Sequence, residues 1–203
     1  GQTGSGKTYS MEGFEYTTTQ NVQSNASSAE KRAAMPRAQI SRTQSERLGI
    51  MPRTLRDLFA AVSRAPKSEG QFVLRCSYVQ IYNEQVLDLL DTNQFAKRSS
   101  GNAALTPRSS GLRLRWHSQR GFYAEDLCVV EVDCVEDAEK VLHAGMQNKI
   151  MAAHNINAAS SRSHCIFRID VERTFLPMTQ DDADIAAIGE QTVTSSLCLV
   201  DLA

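Results

Sequence analysis

The sequence has little of what marks several special classes of protein. Its 22 basic and 23 acidic side chains nearly cancel and leave a formal net charge of −1, which argues against a body that binds nucleic acid by electrostatics alone. No apolar run approaches the ~18 residues that span a bilayer. The first residues also lack the basic and then apolar pattern of a signal peptide. We therefore expect neither nucleic acid nor a membrane as a partner.

Cysteine is sparse and widely spaced. The five cysteines include no Cys-x-x-Cys pair, so neither zinc-ligand spacing nor a disulfide framework is indicated. Most of them lie in apolar, strand-like surroundings, where a free cysteine behaves as a small hydrophobic side chain. This pattern favours a reducing compartment, and we expect the protein in the cytoplasm.

The remaining composition is that of one globular unit. A length of 203 residues with 41% apolar side chains predicts a single domain, or part of a larger one, with a buried core. Residue 1 already lies in a glycine-rich loop, and an apolar strand stops just after Asp201. We therefore expect a piece of a longer polypeptide, with the domain incomplete at both ends.

Hydrophobic periodicity predicts helices and strands in alternation. Helices are expected over residues 7–11, from Pro52 until Gly70, and after the Asp133/Glu136 capping pattern; a helical or turn segment is expected over 84–90. The expected strands cover residues 72–82, 112–116, 122–132, 164–175 and 192–202. The continuous apolar run of the last strand is typical of a buried central strand. The fold class is α/β, with a mixed central sheet flanked by helices.

Two polar segments lack any such periodicity. Residues 14–47 are rich in Ser, Thr, Asn and Gln, and we interpret them as a surface insertion. Residues 93–110 have a similar composition, and we interpret them as a flexible loop.

The strongest local motif stands at the start of the chain. Residues 1–8 read G-Q-T-G-S-G-K-T and match G-x-x-x-x-G-K-[ST] at every specified position. In such a loop the backbone N–H groups wrap a phosphate, and the following helix points its positive end at the same anion. Lys7 can then reach the β- and γ-phosphates, and the Thr8 hydroxyl can bind Mg²⁺. The alternative is a glycine- and serine-rich turn that binds nothing.

Two weaker features are compatible with the same chemistry. Asp201 ends an apolar strand, from which position an aspartate can hold Mg²⁺ through water, although many strands end in Asp at a turn. Residues 157–164 place three hydroxyls, an Arg and a His before a predicted strand. Ser160 and Ser161 can contact Mg²⁺ or a γ-phosphate and Arg162 can pair with a carboxylate, but an ordinary serine-rich turn fits equally well.

Together these strings resemble the kinesin motor family. Residues 157–164 resemble its switch I, N-x-x-S-S-R-S-H, and residues 1–13 are similar to its phosphate loop, GQT-x-SGKT-[YF]-x-M-x-G. Residues 77–90 are similar to S-x-x-E-I-Y-N-E…D-L-L, and residues 199–203 to the start of switch II, L-V-D-L-A-G-S-E. The four motifs occur in the family's order across the whole chain, so residues 1–203 are expected to be a partial kinesin motor domain with a P-loop NTPase fold.

The resemblance implies roles for individual residues. It makes Ser160, Ser161 and Arg162 the catalytic residues of switch I, and Thr8, Ser161 and Asp201 the residues that hold Mg²⁺. Arg162 would form a latch with a switch II glutamate that follows residue 203 in the family pattern, so this segment alone is expected to be inactive. The residues expected to bind ATP are Gly1, Gln2, Thr3, Gly4, Ser5, Gly6, Lys7, Thr8 and Tyr9.

The implied function is that of a microtubule-based motor ATPase of the cytoplasm and cytoskeleton. Arg120, at the tip of a predicted hairpin, is the expected contact to tubulin, and a solvated basic face is the alternative. A divergent or truncated kinesin-like protein that binds microtubules or a partner without ATP turnover is the competing interpretation. A homodimer formed through segments outside this chain stays open.

Two positions depart from the family pattern. Lys149 stands where the family usually has Arg in G-x-x-N-R, and His154 stands where it usually has Thr. Lysine keeps the charge but loses the planar, two-pronged guanidinium. We therefore expect a weaker contact from Lys149 to the nucleotide or to a switch.

Overall fold

The structure is a computed structural model that describes residues 5–13, 15–17, 37–39, 48–91, 111–119, 121–156, 162–175 and 189–203. Its helices are α1 (Lys7–Glu12), α2 (Ile50–Arg64) and α3 (Val135–Ile156). Its strands are β1 (Glu15–Thr17), β2 (Arg37–Gln39), β3 (Gln71–Tyr82), β4 (Gln85–Asp88), β5 (Leu114–His117), β6 (Gly121–Ala124), β7 (Val130–Val132), β8 (Ser163–Phe175) and β9 (Gln191–Asp201).

The long strands β3 and β8 form the centre of the main sheet. They pair antiparallel along the whole of β3, and β8 pairs antiparallel with β9, which places Cys165 opposite Asp201. On its other side β3 pairs with β4 and with β7. The order is therefore β4-β3-β8-β9, with β7 beside β3, and every pairing in this described sheet is antiparallel.

Helix α3 packs on β3 and β7 of this sheet, and α2 packs on α1 and α3, so that the apolar faces of both helices line one core. The buried positions Met51, Leu55 and Phe59 of α2 follow each other at intervals of four residues, as one face of a helix requires. Alternate residues of β3 and β8 face the same core, where the rings of Tyr78 and Phe167 meet edge to face with centroids 5.3 Å apart. The core also includes Leu74, Cys76, Val132, Ala138, Leu142, Met146, Cys165, Ile169 and Leu199.

The prediction that Gly70 closes α2 is wrong. The helix ends at Arg64, because Pro66 disfavours a helical conformation at the residue before it. Gly70 instead lies directly before β3 with φ +97°, and a Cβ there would come within 2.1 Å of the Thr174 carbonyl oxygen. A glycine is therefore required where β3 begins beside β8.

The helical or turn segment expected over residues 84–90 is also different. Asn83 and Glu84 both have positive φ, 47° and 61°, and they form the turn of a tight hairpin in which β4 pairs with the end of β3. Such turns have a twist that matches the twist of the two strands. The apolar residues Val86 and Leu87 fit either a helix or a strand, and the tight turn that precedes them selects the strand.

Two further expectations need correction. The strand expected over 122–132 is divided, because β6 pairs with β5 while β7 pairs with β3. The last strand, β9, is largely exposed along its length rather than buried, because among the described strands only β8 pairs with it. Within the expected insertion 14–47, β1 and β2 pair antiparallel, while its remaining residues and the expected loop 93–110 lie outside the described residues.

No helix in the described ranges is long and apolar enough to cross a membrane.

Candidate functional site

The phosphate-loop motif leads into α1 as its glycines require. Gly6 has the left-handed φ of +82° at the start of the helix, and its carbonyl oxygen accepts the Ser10 N–H at 2.8 Å. Gly13, with φ +73°, ends the helix and donates to the Tyr9 carbonyl oxygen at 2.7 Å. The predicted short helix is thus confirmed and extends to Glu12. Ser5 and Tyr9 are exposed, and residues 1–4 lie outside the described part.

The structure joins the first motif of the chain to the last. The Thr8 hydroxyl donates a hydrogen bond to Oδ2 of Asp201 at 2.9 Å. The antiparallel path of β9 beside β8 carries Asp201 to the end of the sheet where α1 lies. Asp201 is buried, and its second oxygen, Oδ1, accepts no hydrogen bond from the described residues. Two of the three expected metal-holding residues are therefore in contact, while Ser161 lies outside the described residues.

A lysine completes this cluster. The Lys149 ammonium, on α3, lies 2.8 Å from Oε1 of Glu12 and 3.1 Å from Oδ2 of Asp201. The Lys149 side chain is only 9% exposed, and Glu12 is fully buried. Lys149 thus contacts Asp201, which the resemblance assigns to the start of switch II, and it also contacts the end of α1. The expectation that lysine makes this contact weaker than arginine would stays a prediction. We call these three side chains, Glu12, Lys149 and Asp201, the carboxylate–lysine cluster.

The cluster keeps its lysine charged. Burial by itself acts to lower the pKa of Lys149, but the negative charges around it, that of Glu12 foremost, raise this pKa above its usual value. Burying an ion pair contributes little net stability because both charges lose their water. The cluster is therefore better explained by the arrangement it imposes on Asp201 than by stabilisation of the fold.

The residues present fit a magnesium ion beside a bound nucleotide. Lys149 is shared between two carboxylates, Oδ1 of Asp201 has no described donor, and the Thr8 hydroxyl oxygen keeps its lone pairs for a metal. Within the described ranges no group of three or more His, Cys, Asp or Glu side chains could hold a metal by itself. This donor set suits Mg²⁺, which commonly takes one or two protein ligands together with phosphate oxygens and water.

The start of β8, which is the last part of the segment that resembles switch I, lies at the same end of the sheet. His164 accepts the Ala203 backbone N–H at Nδ1, 3.0 Å away, and so ties β8 to the residues that follow Asp201. Arg162 precedes β8, is exposed, and makes no ion pair with the described side chains. Ser160 lies outside the described residues together with Ser161, so their expected roles stay predictions.

The predicted tubulin-binding hairpin is formed by β5 and β6. Arg120 at its tip lies outside the described residues. Arg115 pairs with Glu125 at 3.3 Å, so part of the basic charge of this hairpin is neutralised. On the surface of this hairpin the rings of Trp116 and Phe122 contact each other, with their centroids 4.8 Å apart. Trp116 is 65% exposed and Phe122 is 75% exposed.

Sequence reasoning missed Glu12 and the bridge that Lys149 forms. The family pattern leaves position 12 unspecified, so no motif pointed to it. The sequence did contain one indication: Glu12 is an acidic residue that stands between Met11 and Gly13, at the end of a short helix. The side chain of His154, the second departure from the family pattern, lies outside the described residues.

Comparisons with known proteins agree with the resemblance. The sequence model of the family described as "Kinesin motor domain" matches residues 1–203. The mouse Kinesin-like protein KIF12 is 33% identical over 203 residues, which is all of this chain and 25% of that protein. The Kinesin-like protein KIF15 of Strongylocentrotus purpuratus is 32% identical over 206 residues, all of this chain and 11% of that protein. The chain thus spans a quarter or less of these relatives.

A solved structure has the same fold. It is described as "Structure of a fast kinesin: Implications for ATPase mechanism and interactions with microtubules", and it matches with a TM-score of 0.64 at 24% identity. The match covers all of this chain and 42% of the other. It confirms the predicted fold class, an α/β fold of the P-loop NTPase type.

Proposed function

Because the chain belongs to the kinesin motor domain family, we propose that it is the nucleotide-binding part of a motor ATPase that moves along or remodels microtubules. Members of this family are in general ATPases that bind nucleotide with Mg²⁺, associate with microtubules and belong to the cytoskeleton. The observation that carries the proposal is the hydrogen bond from Thr8 to Asp201. It joins the phosphate loop to the end of β9, where an oxygen of Asp201 is left for a metal.

The proposed reaction is the hydrolysis of ATP by positioning and charge neutralisation. Lys7 and the N–H groups of residues 4–8 hold the β- and γ-phosphates. Thr8, Ser161 and Asp201 would hold the Mg²⁺ ion, which when bound would neutralise charge on the phosphate oxygens. A water molecule attacks the γ-phosphorus in line while the bond from that phosphorus to the bridging oxygen of ADP breaks. One proton of the water stays on the phosphate product, and the other is released to solvent.

Switch I controls when this reaction occurs. Ser160 and Ser161 close on the γ-phosphate, and Arg162 pairs with a switch II carboxylate to order the attacking water. Loss of the γ-phosphate removes these contacts, so the switch segments are released and microtubule affinity changes. The β5–β6 hairpin, with Arg120 at its tip, supplies a basic contact to the acidic surface of tubulin.

The competing proposal is a kinesin-like protein that binds microtubules without turning over ATP. It would account for the replacement of the usual Arg by Lys149. The two ion pairs of Lys149 speak against it, because a protein that no longer uses nucleotide has no need to keep a buried charge cluster beside the phosphate loop.

Nucleotide binding by a Lys7→Ala variant of the full-length protein tests the phosphate-loop assignment. We expect affinity for a fluorescent ATP analogue to fall at least about 100-fold, because a charge-assisted contact to the phosphates contributes ~3 kcal/mol. Lys140→Ala is the matched control, since Lys140 is an exposed lysine of α3 that pairs with Asp137.

Unchanged affinity in Lys7→Ala would exclude this loop as the nucleotide site. Wild-type protein that binds the analogue but shows no microtubule-stimulated ATPase would favour the competing, non-hydrolysing protein.

A further inference from the structure

Ser118 is an exposed serine in the turn of the β5–β6 hairpin, directly after the last residue of β5. The hydrogen bond described within this turn runs from the Gln119 N–H to Nδ1 of His117, and it does not use the Ser118 hydroxyl. The hydroxyl is therefore accessible to another protein.

The residues before Ser118 carry a pattern of arginines. Arg115 stands three positions before the serine and Arg113 stands five positions before it, in the string R-L-R-W-H-S of residues 113–118. This is the charge pattern that basophilic protein kinases select, because acidic side chains in their substrate groove bind the two guanidinium groups. Of the serines and threonines in the described ranges, only Ser118 has an arginine three positions before it.

Both arginines can be bound by such a groove. Arg113 is exposed and directly precedes β5, and Arg115 is half exposed and pairs with Glu125 at 3.3 Å. A surface ion pair contributes little to stability, so Arg115 can exchange this carboxylate for one of the kinase. Residues 114–117 are already in the extended conformation in which many grooves bind a peptide.

The hairpin is also able to separate from the rest of the domain. Among the described strands, β5 and β6 pair only with each other and form a sheet apart from the main one. A two-stranded sheet is marginally stable by itself, and its largest side chains, Trp116 and Phe122, are mostly exposed. Few buried contacts hold the turn in place, so it can open locally and enter a kinase without unfolding of the core.

We propose that Ser118 is a phosphorylation site of a basophilic protein kinase, and that phosphate on this residue weakens the contact between the β5–β6 hairpin and the microtubule. In the transfer, Oγ of Ser118 forms a bond to the γ-phosphorus of the ATP held by the kinase. The bond from that phosphorus to the bridging oxygen of ADP breaks, and the hydroxyl proton passes to a carboxylate of the kinase. This inference rests on the proposed function, because its effect assumes that the hairpin contacts tubulin.

The effect follows from the charge of the hairpin. Residues 112–126 contain three arginines and two acidic residues, which gives a net charge of +1 with histidine neutral. A phosphate adds about −1.5 to −2 charges at pH 7, so the segment becomes negative and is repelled by the acidic surface of tubulin. Pairing of the phosphate with a neighbouring arginine acts in the same direction, because it occupies the positive charge that tubulin would bind.

The first test is phosphorylation of the full-length protein by a purified kinase that selects arginine at both positions. Incorporation at Ser118 is followed over time by mass spectrometry. Arg115→Ala should slow this incorporation at least about 10-fold, because one charge-assisted contact to the kinase is lost. Ser118→Ala should abolish the modified peptide. Ser68→Ala is the control, since Ser68 is exposed but has no arginine three positions before it, and incorporation at Ser118 should be unchanged.

The second test is the microtubule affinity of the phosphorylated protein, measured by cosedimentation with a non-hydrolysable ATP analogue present. We expect Kd to rise about 3- to 10-fold at low ionic strength and by less at high ionic strength, because salt screens exposed charges. Ser118→Asp adds one negative charge and should raise Kd by a smaller factor. Nucleotide affinity and the ATPase rate without microtubules should not change, since no residue of the hairpin belongs to the proposed nucleotide site.

The outcomes distinguish this inference from the proposed function. If the unphosphorylated protein binds microtubules, then a lack of incorporation at Ser118, or an unchanged Kd after incorporation, would overturn the inference alone. An unphosphorylated wild-type protein that does not bind microtubules would overturn the proposed function and, with it, the effect inferred for Ser118.

Discussion

At the scale of the residue, exposure separates the roles of the charged side chains around the site. Lys149 is buried, and its ammonium group pairs with two carboxylates. Arg162, which directly precedes β8, is exposed. Arg162 forms no ion pair with the described side chains. A planar guanidinium can bind a carboxylate through two parallel hydrogen bonds, which suits a latch that must close in one geometry.

For this reason we expect Arg162→Ala to separate binding from turnover. The variant should bind a fluorescent ATP analogue within about twofold of wild type, while microtubule-stimulated turnover falls at least about 100-fold, as when one stabilising group of a reaction is removed. Steady-state ATPase assays of the full-length protein measure this. Arg168→Ala is the control, because Arg168 lies on β8, the strand that follows Arg162, is exposed, and pairs with Asp170. Turnover at the wild-type level in Arg162→Ala would contradict the latch.

At the scale of the element, one buried carboxylate connects strands that are distant in sequence. Asp88, at the end of β4, accepts the Leu90 N–H at 2.8 Å through Oδ1 and the Cys128 N–H at 2.7 Å through Oδ2. Burial raises the pKa of Asp88, and the hydrogen bonds from backbone N–H groups oppose that rise. Asp88 thereby holds the segment before β7 against the β3–β4 hairpin.

Asp88→Asn should therefore destabilise the domain by about 1–3 kcal/mol. An amide offers one acceptor oxygen, so one of the two backbone N–H groups loses its partner inside the protein. Urea unfolding of wild type and variant at the same pH measures the difference. Asp126→Asn is the control, since Asp126 is exposed with φ 59° and asparagine tolerates that conformation. Equal stability of Asp88→Asn and wild type would show that the two hydrogen bonds contribute nothing.

At the scale of the whole molecule, the antiparallel sheet and its helices enclose thiols in the core. Burial, with a smaller contribution from Asp170, raises the pKa of Cys76 from its ordinary value of 9.0 to about 12. Burial likewise raises the pKa of Cys165 to about 11. In the unfolded chain these thiols ionise first, so their contribution to stability is complete below pH 9 and is lost as the pH rises towards the folded-state values.

This difference predicts that Cys76 makes the domain less stable in alkali. Between pH 8 and pH 10 its contribution should fall by up to about 1.4 kcal/mol, because at pH 10 the unfolded thiol is largely ionised and the folded one is not. Urea unfolding at both pH values measures the loss in wild type, and Cys76→Ala should show a loss smaller by that amount. Cys198→Ala, at an exposed position, serves as the control. An identical loss in Cys76→Ala and wild type would contradict a buried, un-ionised thiol.

The elements that could be predicted are those whose signals are local. The glycines around α1, the alternating strands β3 and β8, and the apolar face of α2 each depend on residues within a few positions of one another. Errors arose where the deciding contact was more distant. The end of α2 depends on Pro66 rather than on Gly70, and the segment at 84–90 became a strand because its turn and its partner strand outweigh its apolar composition.

By itself, the sequence determined the phosphate-loop motif, the family and the types of residue that could bind nucleotide, because these depend on short strings and on their order. Only the tertiary structure decided which of those residues meet. Thr8 and Asp201 are 193 positions apart, and Glu12 and Lys149 are 137 apart. Their contact depends on how β9 pairs with β8 and on how deeply α3 packs on β3, which Gly145 permits because a Cβ there would meet the ring of Tyr78. No local pattern encodes that depth, which is why the cluster around Lys149 could not be predicted before the chain was folded.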